Sequence, residues 1–445
     1  MHSKEIEGHD RAQIFSVPVV DVTKTNFSSL EPTIRSAIEN CDFIALDCEL
    51  SGLGDRKQLN ATSIEERFSN SSVVAKTRSI IALGLSIFKE EPNSKDETNK
   101  FPSKSFQVQT YNIVVLCSED YIVEPGSVKF LVEHGFNFNQ QYSEGVPYYR
   151  GNNKEDSSVE DNRLRNLFAE IIRNKKQVVF HNGFVDIVFL YQNFYAQLPQ
   201  TLSTFLADLY EMFPSGIYDT KYISDYICRT SSSFLEFVFK KLLKLNVQRA
   251  SKALTHVEMV FPEYPKNYEF LDFVRCAPTH ERNIDDNSQP VCQDFANHGN
   301  CQNKECKDSH DVDYILAAQD THMNKKKKRR SKKIDQTTNG HVADNTVQEA
   351  IITEKKSSDK NSDRATTTGH RAGMDAFMTG YSYIAFIWHK TNKVGEDLVV
   401  DDDIKLPNIV NKIYLVRKEF PLLIQKSSFA KNSVSHVEKY EQLMK

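Results

Sequence analysis

The first third of the chain shows a pattern typical of buried strands. Residues 42–50 (DFIALDCEL) are an apolar run that ends in two acids. Residues 78–89 and 106–117 are rich in β-branched residues, which favours strands in the centre of a sheet. The polar stretch 91–105 lies between the last two runs and predicts a long hairpin loop.

Helical patterns then alternate with short strand patterns. Apolar residues recur at helical spacing over 161–174, a strand pattern follows at 177–183, and helical patterns cover 184–195 and 201–213. Strands that come first and then alternate with helices indicate an α/β domain with a mixed central sheet.

The pattern changes beyond residue 277. Residues 323–369 contain no aromatic residue, so they lack the apolar surface that offsets the entropy of ordering, and we predict a disordered linker. A helical pattern with large apolar residues returns at 370–389, and a strand-like pattern covers 411–424. The helix is too apolar to stand alone, so we expect it to complete the core of the first domain.

These shifts predict the domain organisation. We expect one domain built from residues 1–277 and completed by residues 370–445. A cysteine-rich insertion at 286–314 and the linker at 322–369 would interrupt it.

The composition indicates a reducing, intracellular compartment. The 445-residue chain has no apolar run near the ~20 residues that span a membrane, and its charged N-terminus lacks the apolar core of a signal peptide. We therefore expect no membrane partner and interpret the eight cysteines as thiols or metal ligands.

One basic segment stands out from an otherwise acidic chain. The net charge is −4, but residues 325–333 (KKKKRRSKK) carry eight positive charges, which leaves the rest near −12. This run is typical of a nuclear localisation signal read by a nuclear import receptor, and it could also attract RNA phosphates. The alternative is a solvated linker.

Two acids at the end of the first strand pattern are candidates for a metal site. Asp47 and Glu49 are two positions apart, so a strand would place both side chains on one face. Their charges repel unless a cation lies between them, and hard oxygen ligands suit Mg²⁺, with Mn²⁺ as the alternative. Two ions ~4 Å apart would need further acids, for which Asp186 and Asp375 are the candidates.

Each of these signals has an ordinary structural explanation when taken alone. The acid pair could be a solvated strand end, and Asp186 a residue that favours a helix start. His370 could be a core histidine or a neighbour of a helix cap. Asp219 could be structural or could lie near the substrate.

The order of the motifs is far more specific than any one of them. Asp-x-Glu, His-Asn-x₃-Asp and His-x₄-Asp together resemble the DEDDh exonucleases of the ribonuclease H-like superfamily, and most closely the deadenylase group related to poly(A)-specific ribonuclease. The matching segments are ALDCELSGLGDR, IEERF, VVFHNGFVDIVFLYQNFY, IYDTKY and HRAGMDAFMTGY. The cysteine-rich patch and the basic run narrow the resemblance to nuclear, Cajal-body members of this group that carry a CCCH zinc finger.

The resemblance implies a ribonuclease H-like fold and a role for each site residue. Asp47, Glu49 and Asp375 would hold the ion that binds the attacking water. Asp47 would bridge to a second ion, Asp186 would support that ion, and His370 would be the general base. Cys48 stands where relatives often carry Thr, and we expect a small effect because its side chain points away from the acids.

The resemblance also implies the reaction and its setting. It implies a Mg²⁺-dependent 3′→5′ exoribonuclease, or deadenylase, that removes adenosine-rich tails from single-stranded RNA 3′ ends and releases 5′-monophosphates. Nuclear RNAs such as small nuclear RNA precursors would be substrates, in the Cajal body or nucleolus. The alternatives are a DNA 3′ exonuclease, which the same acids would serve, and an inactive RNA-binding scaffold. The tail preference and oligomeric state stay open.

The cysteine-rich patch predicts a structural Zn²⁺ site. Cys292-x₈-Cys301-x₄-Cys306-x₃-His310 offers three thiolates and an imidazole, the donor set of a closed tetrahedral site, at a spacing that resembles CCCH fingers. The alternative is a chance run of cysteines in a disordered loop. Asp308 occupies a position where RNA-binding members often carry an aromatic residue. RNA binding, a protein contact and simple stabilisation of the insertion therefore all stay open.

Overall fold

A mixed sheet of nine strands forms the centre of the fold. The computed structural model describes residues 15–92, 103–151, 162–265, 268–276, 289–321, 371–388 and 406–445. The strands are β1 (Phe15–Val22), β2 (Phe43–Leu50), β3 (Ile80–Glu90), β4 (Ser103–Cys117), β5 (Val146–Tyr148), β6 (Gln177–Phe180), β7 (Ile217–Asp219), β8 (His256–Val260), β9 (Leu271–Cys276), β10 (Lys412–Ile413) and β11 (Leu422–Leu423). The order across the main sheet is β7-β6-β2-β3-β4-β1-β9, and β5 and β8 pair with β4 beside this path.

The strand directions confirm the predicted mixed α/β fold. β2, β3 and β4 are antiparallel neighbours, whereas β6 and β7 continue the sheet parallel to β2. Because β2, β6 and β7 run the same way, their carboxyl ends meet at one edge of the sheet, where open α/β sheets bind their ligands.

Helices cover both faces of the sheet. They are α1 (Phe27–Asn40), α2 (Arg56–Leu59), α3 (Ile64–Thr77), α4 (Pro125–Glu133), α5 (Phe138–Glu144), α6 (Arg163–Arg173), α7 (Phe184–Leu190), α8 (Leu202–Met212), α9 (Thr220–Tyr222), α10 (Leu235–Ser251), α11 (Gln293–His298), α12 (312–321), α13 (Ala372–Trp388), α14 (Leu406–Ile409) and α15 (Val434–Met444). α7 and α9 each run into a five-residue π-helical turn, at Tyr191–Tyr195 and Ile223–Ile227. No helix of these ranges is long and apolar enough to cross a membrane.

Helix α13 is buried on nearly all sides and lies across the sheet. Its Phe377 packs on Phe88 of β3, with ring centroids 6.2 Å apart. Tyr381, from the next turn, packs edge to face on Phe239 of α10 at 5.2 Å. A helix that is apolar all round needs a core to cover it, and here the sheet and α10 supply that core.

Most predicted elements are present, and one needs correction. The strand pattern at 411–424 forms only the two-residue strands β10 and β11. Arg417 has a positive φ of 60°, and Lys418 closes a turn by donating its backbone N–H to Leu415, so the extended chain is interrupted there. Residues 93–102 of the predicted hairpin loop, the linker 322–369 and its basic run lie outside the described residues. The domain division stays a prediction.

Candidate active site

Strand β2 carries the two acids that the sequence singles out. Ala45 lies in the core beneath α13, and the two-residue period of a strand puts Asp47 and Glu49 on that same face. Across the ladder Asp47 pairs with Gly84 and Glu49 pairs with Ala82 of β3. Neither neighbour has a side chain beyond Cβ, so the backbone of α13 can approach the sheet beside the two carboxylates.

Helix α13 brings a third acid to this face. A Cβ added to Gly84 would lie 1.8 Å from the carbonyl oxygen of Ala372, and one added to Gly373 would lie 3.0 Å from the carbonyl oxygen of Tyr111. The first turn of α13 therefore rests directly on the backbones of β3 and β4. That approach is close enough to carry Asp375, which follows within the same turn, to the acid pair.

Three carboxylates converge at this point. Asp47, Glu49 and Asp375 each present an oxygen, and these oxygens all lie within 4.8 Å of one another. Asp186 stands in the first turn of α7, and its carboxylate accepts a hydrogen bond from the backbone N–H of Cys48. The Cys48 side chain is buried in the core. The structure therefore brings all four predicted acids to β2, three in one cluster and Asp186 next to Asp47.

The electrostatics of the site favour a bound cation. Burial, followed by the charges of Asp375, Asp186 and Glu49, raises the pKa of Asp47 well above its usual value. Burial, with a smaller contribution from Asp219, raises the pKa of Asp186 to about 7, although backbone hydrogen bonds oppose that shift. Carboxylate oxygens at these distances are the hard donors that Mg²⁺ and Mn²⁺ prefer, so the residues fit such ions.

The sequence left open whether Asp219 is structural or lies near the substrate, and its contacts are those of a structural residue. It is fully buried at the end of β7. Its carboxylate accepts backbone N–H bonds from Asn182 at 2.9 Å, Gly183 at 3.3 Å, Lys221 at 2.9 Å and Tyr414 at 3.0 Å. It thereby holds the turn from β6 into α7, the helix whose first turn carries Asp186.

The β6–α7 turn has a shape that few residues tolerate. Asn182 has φ 63°, in the left-handed region that asparagine enters more readily than most residues. A Cβ on Gly183 would lie 2.3 Å from the Cβ of Phe180. The His-Asn-Gly sequence therefore forms a compact turn. This turn fixes where α7 starts, and so it fixes where Asp186 lies along β2.

A polar clamp that the motif analysis missed fixes the start of α13. The Arg371 guanidinium binds Asp21 of β1 and also binds Asp272 of β9 at 2.6 Å. Asn112 of β4 donates to Asp21 at 2.8 Å and accepts the backbone N–H of Gly373 at 3.3 Å. The residues are far apart in sequence, so no local spacing could reveal the clamp.

His370, the predicted general base, lies outside the described residues. The structure therefore gives no position for its side chain. Its neighbour Arg371 is described and is held by the clamp, directly before the first turn of α13.

The predicted zinc ligands also come together. One ligand atom from each of Cys292, Cys301, Cys306 and His310 lies within 4.8 Å of the others. The backbone N–H of Phe295 points at the Cys292 sulfur at 3.5 Å and lowers the pKa of that thiol. Three sulfurs and an imidazole at this spacing fit a tetrahedral zinc ion.

Phe295 of the cysteine-rich segment, residues 289–321, packs its ring against other rings of the protein. Phe295 stacks on the ring of His310, with centroids 4.7 Å apart and planes 11° apart. It also packs edge to face on Phe234, outside the segment, with ring centroids 5.7 Å apart. Phe295 therefore links a candidate zinc ligand to the start of α10.

Comparison with known sequences defines the family. The sequence profile of the CAF1 family ribonucleases matches residues 22–163 and 152–383, which together cover more than half of the chain. The chain therefore belongs to the CAF1 family ribonucleases.

Individual relatives are distant. The chain is 27% identical over 159 residues to the poly(A)-specific ribonuclease PARN of Homo sapiens, a match covering 34% of this chain and 23% of the human protein. It is 27% identical over 137 residues to the 3′-5′ exoribonuclease parn-1 of Caenorhabditis elegans, covering 29% and 22%. It is 20% identical over 347 residues to the pre-piRNA 3′-exonuclease trimmer of Bombyx mori, covering 53% and 64%. The chain thus spans about a fifth of the length of the PARN relatives it matches.

Among solved structures, the chain is similar to Pop2p of S. pombe in its Mg²⁺- and Mn²⁺-bound form. The sequence identity is 20%, the TM-score is 0.38, and the match covers 51% of this chain and 82% of that one.

Proposed function

We propose that this protein is a Mg²⁺-dependent 3′→5′ exoribonuclease that shortens adenosine-rich tails of single-stranded RNA. The observation that carries the proposal is the convergence of Asp47, Glu49 and Asp375 within 4.8 Å, with Asp186 beside them, in a chain of the CAF1 family ribonucleases. A cluster of four acids serves no purpose in packing, but it fits a centre for divalent cations.

The proposed roles follow from the placement of the acids. Asp47, Glu49 and Asp375 would hold one ion, and Asp47 together with Asp186 would hold a second. When bound, two such ions activate a water molecule and stabilise the leaving oxygen of a phosphodiester. His370 would accept the proton of that water, because a neutral imidazole titrates near the working pH. The clamp on Arg371 would keep the chain before α13 close to the acids.

RNA is the substrate class that the relatives favour. PARN, parn-1 and trimmer are all named as RNA 3′ exonucleases or ribonucleases. We infer that this chain likewise releases 5′-monophosphates from RNA 3′ ends. The acids would serve a DNA 3′ exonuclease equally well, so a DNA substrate is the first competing function. An inactive RNA-binding scaffold is the second.

We further infer a nuclear, zinc-containing member of the deadenylase group. The four-ligand cluster at Cys292 supports one structural zinc ion. The basic run 325–333 supports recognition by a nuclear import receptor, and location in the Cajal body or nucleolus and processing of small nuclear RNA precursors belong to this same proposal. Whether the chain forms a homo-oligomer is part of what purification would show.

The decisive experiment is a time course on a 5′-labelled RNA that ends in oligo(A). We expect a ladder shortening from the 3′ end with Mg²⁺, no shortening in EDTA, and almost none for Asp375→Asn, with RNA binding retained. Glu39→Gln, an exposed acid on α1, is the matched control and should behave like the unmodified protein. Equal trimming of a DNA strand would favour the DNA exonuclease. Tight RNA binding without trimming under any divalent ion would favour the scaffold.

A further inference from the structure

The cysteine-rich segment, residues 289–321, packs against helix α10 of the main fold. Its buried Ala296, Val312, Ile315 and Leu316 form one apolar cluster with Phe237 of α10. This cluster is separate from the two large cores of the sheet, so it belongs to the contact between the segment and α10.

Two ion pairs run along the same contact. Lys240 binds Asp313 at 3.0 Å, and Lys244, one turn further along α10, binds Asp320. The Lys side chains are more than three-quarters shielded from water, and both acids belong to α12. Charge complementarity therefore aligns α12 with α10 over more than one helical turn.

A close contact joins the zinc-ligand half of the segment to the start of α10. Gly299 has a positive φ of 71°, and a Cβ there would lie 2.6 Å from the Cγ of the Phe234 side chain. Phe234 also packs edge to face on Phe295, which stacks on the zinc ligand His310. A continuous aromatic contact thus connects the zinc cluster to residue 234.

The chain before α10 connects this contact to the candidate active site. We call residues 228–234 the bridging loop. Its Ser232 hydroxyl donates to the carbonyl of Asn297 in the cysteine-rich segment at 3.1 Å. The next carbonyl, that of Ser233, accepts the Nε2–H of His181 at 3.0 Å and the Nζ of Lys221 at 2.9 Å. One short loop therefore touches both the cysteine-rich segment and the β6–α7 turn.

His181 makes this bond as a donor, through Nε2–H. Its Nε2 faces a carbonyl, so Nε2 carries the proton, and its Nδ1 lies 2.9 Å from the hydroxyl of Thr220. Thr220 follows Asp219, which holds the backbone N–H groups of Asn182 and Gly183. The bridging loop thereby contacts the turn that sets the position of Asp186.

We infer that the zinc-ordered segment is a buttress of the nuclease site: it holds the bridging loop, and through His181 and Lys221 that loop keeps the β6–α7 turn and Asp186 in place. The inference rests on the proposed zinc site and on the proposed divalent site. His181 is in this view a positioning residue, since its ring contacts Thr220 and Ser233 rather than the acids.

The test perturbs the contact without touching a zinc ligand or an acid of the site. In the 445-residue chain, Lys244→Glu replaces an attraction to Asp320 with a repulsion, and the swap Lys244→Glu with Asp320→Lys restores it. Lys252→Glu, exposed just beyond the end of α10, is the matched control. Phe234→Ala removes the aromatic contact independently. The measurements are zinc content per chain, hydrogen exchange along residues 181–186 and 228–234, and the affinity for Mn²⁺.

We expect Lys244→Glu and Phe234→Ala to keep their zinc, to exchange faster in both stretches, and to bind Mn²⁺ about three- to tenfold more weakly. The swap should recover the Mn²⁺ affinity, and zinc removal by a soft chelator should reproduce the effect of Lys244→Glu. Faster exchange confined to residues 292–321, with unchanged Mn²⁺ affinity, would overturn the inference.

The outcomes also separate this inference from the proposals beneath it. A native protein without zinc would refute the zinc site, while the charge reversal would still report whether the contact controls the β6–α7 turn. A native protein that trims no RNA would refute the exonuclease, while hydrogen exchange and Mn²⁺ binding would still report the coupling.

Discussion

Gly84 of β3 and Ala372 of α13 meet backbone to backbone: a Cβ on Gly84 would lie 1.8 Å from the Ala372 carbonyl oxygen. Gly84 is also the cross-strand partner of Asp47. The absence of a side chain at Gly84 thus lets α13 approach the sheet directly beside the first acid.

Gly84→Ala should separate Asp375 from the acid pair. The added methyl group meets backbone that cannot rotate away, so α13 must shift, at a cost of about 1–3 kcal/mol in the free energy of unfolding. A shift near 1 Å at Asp375 should lower the rate of RNA trimming on the order of 10²-fold. Thermal unfolding and trimming kinetics measure the two effects. Gly126→Ala is the control, because a Cβ there meets nothing within 4 Å. Equal behaviour of the two variants would show that α13 does not depend on Gly84.

The four acids should differ in how many ions each one holds. Asp47 neighbours both Asp186 and the Glu49/Asp375 pair, so Asp47→Asn should lose both ions. Asp186→Asn should lose one and keep the ion held by Asp47, Glu49 and Asp375. Counting bound Mn²⁺ by electron paramagnetic resonance tests this, with Glu39→Gln as the control. Loss of both ions in Asp186→Asn alone would mean that the sites fill only together.

The clamp on α13 should show an unequal dependence on its two acids. The Asp21 side chain is partly shielded from solvent and also accepts a hydrogen bond from Asn112. The Asp272 side chain, in contrast, is 62% exposed. We expect Asp272→Asn to change stability by less than about 1 kcal/mol, as surface pairs do. Asp21→Asn should cost about 1.5–3 kcal/mol because it breaks a charged hydrogen-bond network. Chemical denaturation of the two variants, with Arg371→Ala as the full loss, measures the difference. A larger effect from Asp272 would place the main support of α13 on β9.

The four acids of the candidate site could be predicted from the sequence, whereas the contacts that hold them in place could not. Asp47, Glu49 and Asp186 stand at the ends of short strand and helix patterns, so local spacing predicted where they lie in the fold. Asp375 was found through the His-x₄-Asp motif, whose residues are close together in sequence. All four could therefore be found without knowing any long-range contact.

Their support could not be found in the same way. Arg371 reaches Asp21 across 350 positions, and Asp219 binds backbone N–H groups from three separate segments of the chain. The contact between α10 and the cysteine-rich segment depends on Lys244 and Asp320, which are ordinary surface charges in sequence. Such relationships come from tertiary packing, and a pattern with a period of two or 3.6 residues contains no information about them.

The buried, neutral His181 should make the protein sensitive to acid. Burial, reinforced by the charge of Lys221, lowers the pKa of His181 to about 3, whereas the unfolded chain has the ordinary value near 6.5. Between these values the unfolded state binds the extra proton, so stability is full above about pH 6.5 and falls as pH drops toward 3, by up to about 1.4 kcal/mol per pH unit. His181→Gln keeps a donor for Ser233 and cannot be protonated. The variant should lose less stability than the unmodified protein between pH 6.5 and 4.5 in urea unfolding. His134→Gln, at a half-buried histidine that follows α4, is the matched control. Parallel pH curves for His181→Gln and the unmodified protein would mean that His181 takes up a proton within the folded state and that the bridging loop tolerates its charge.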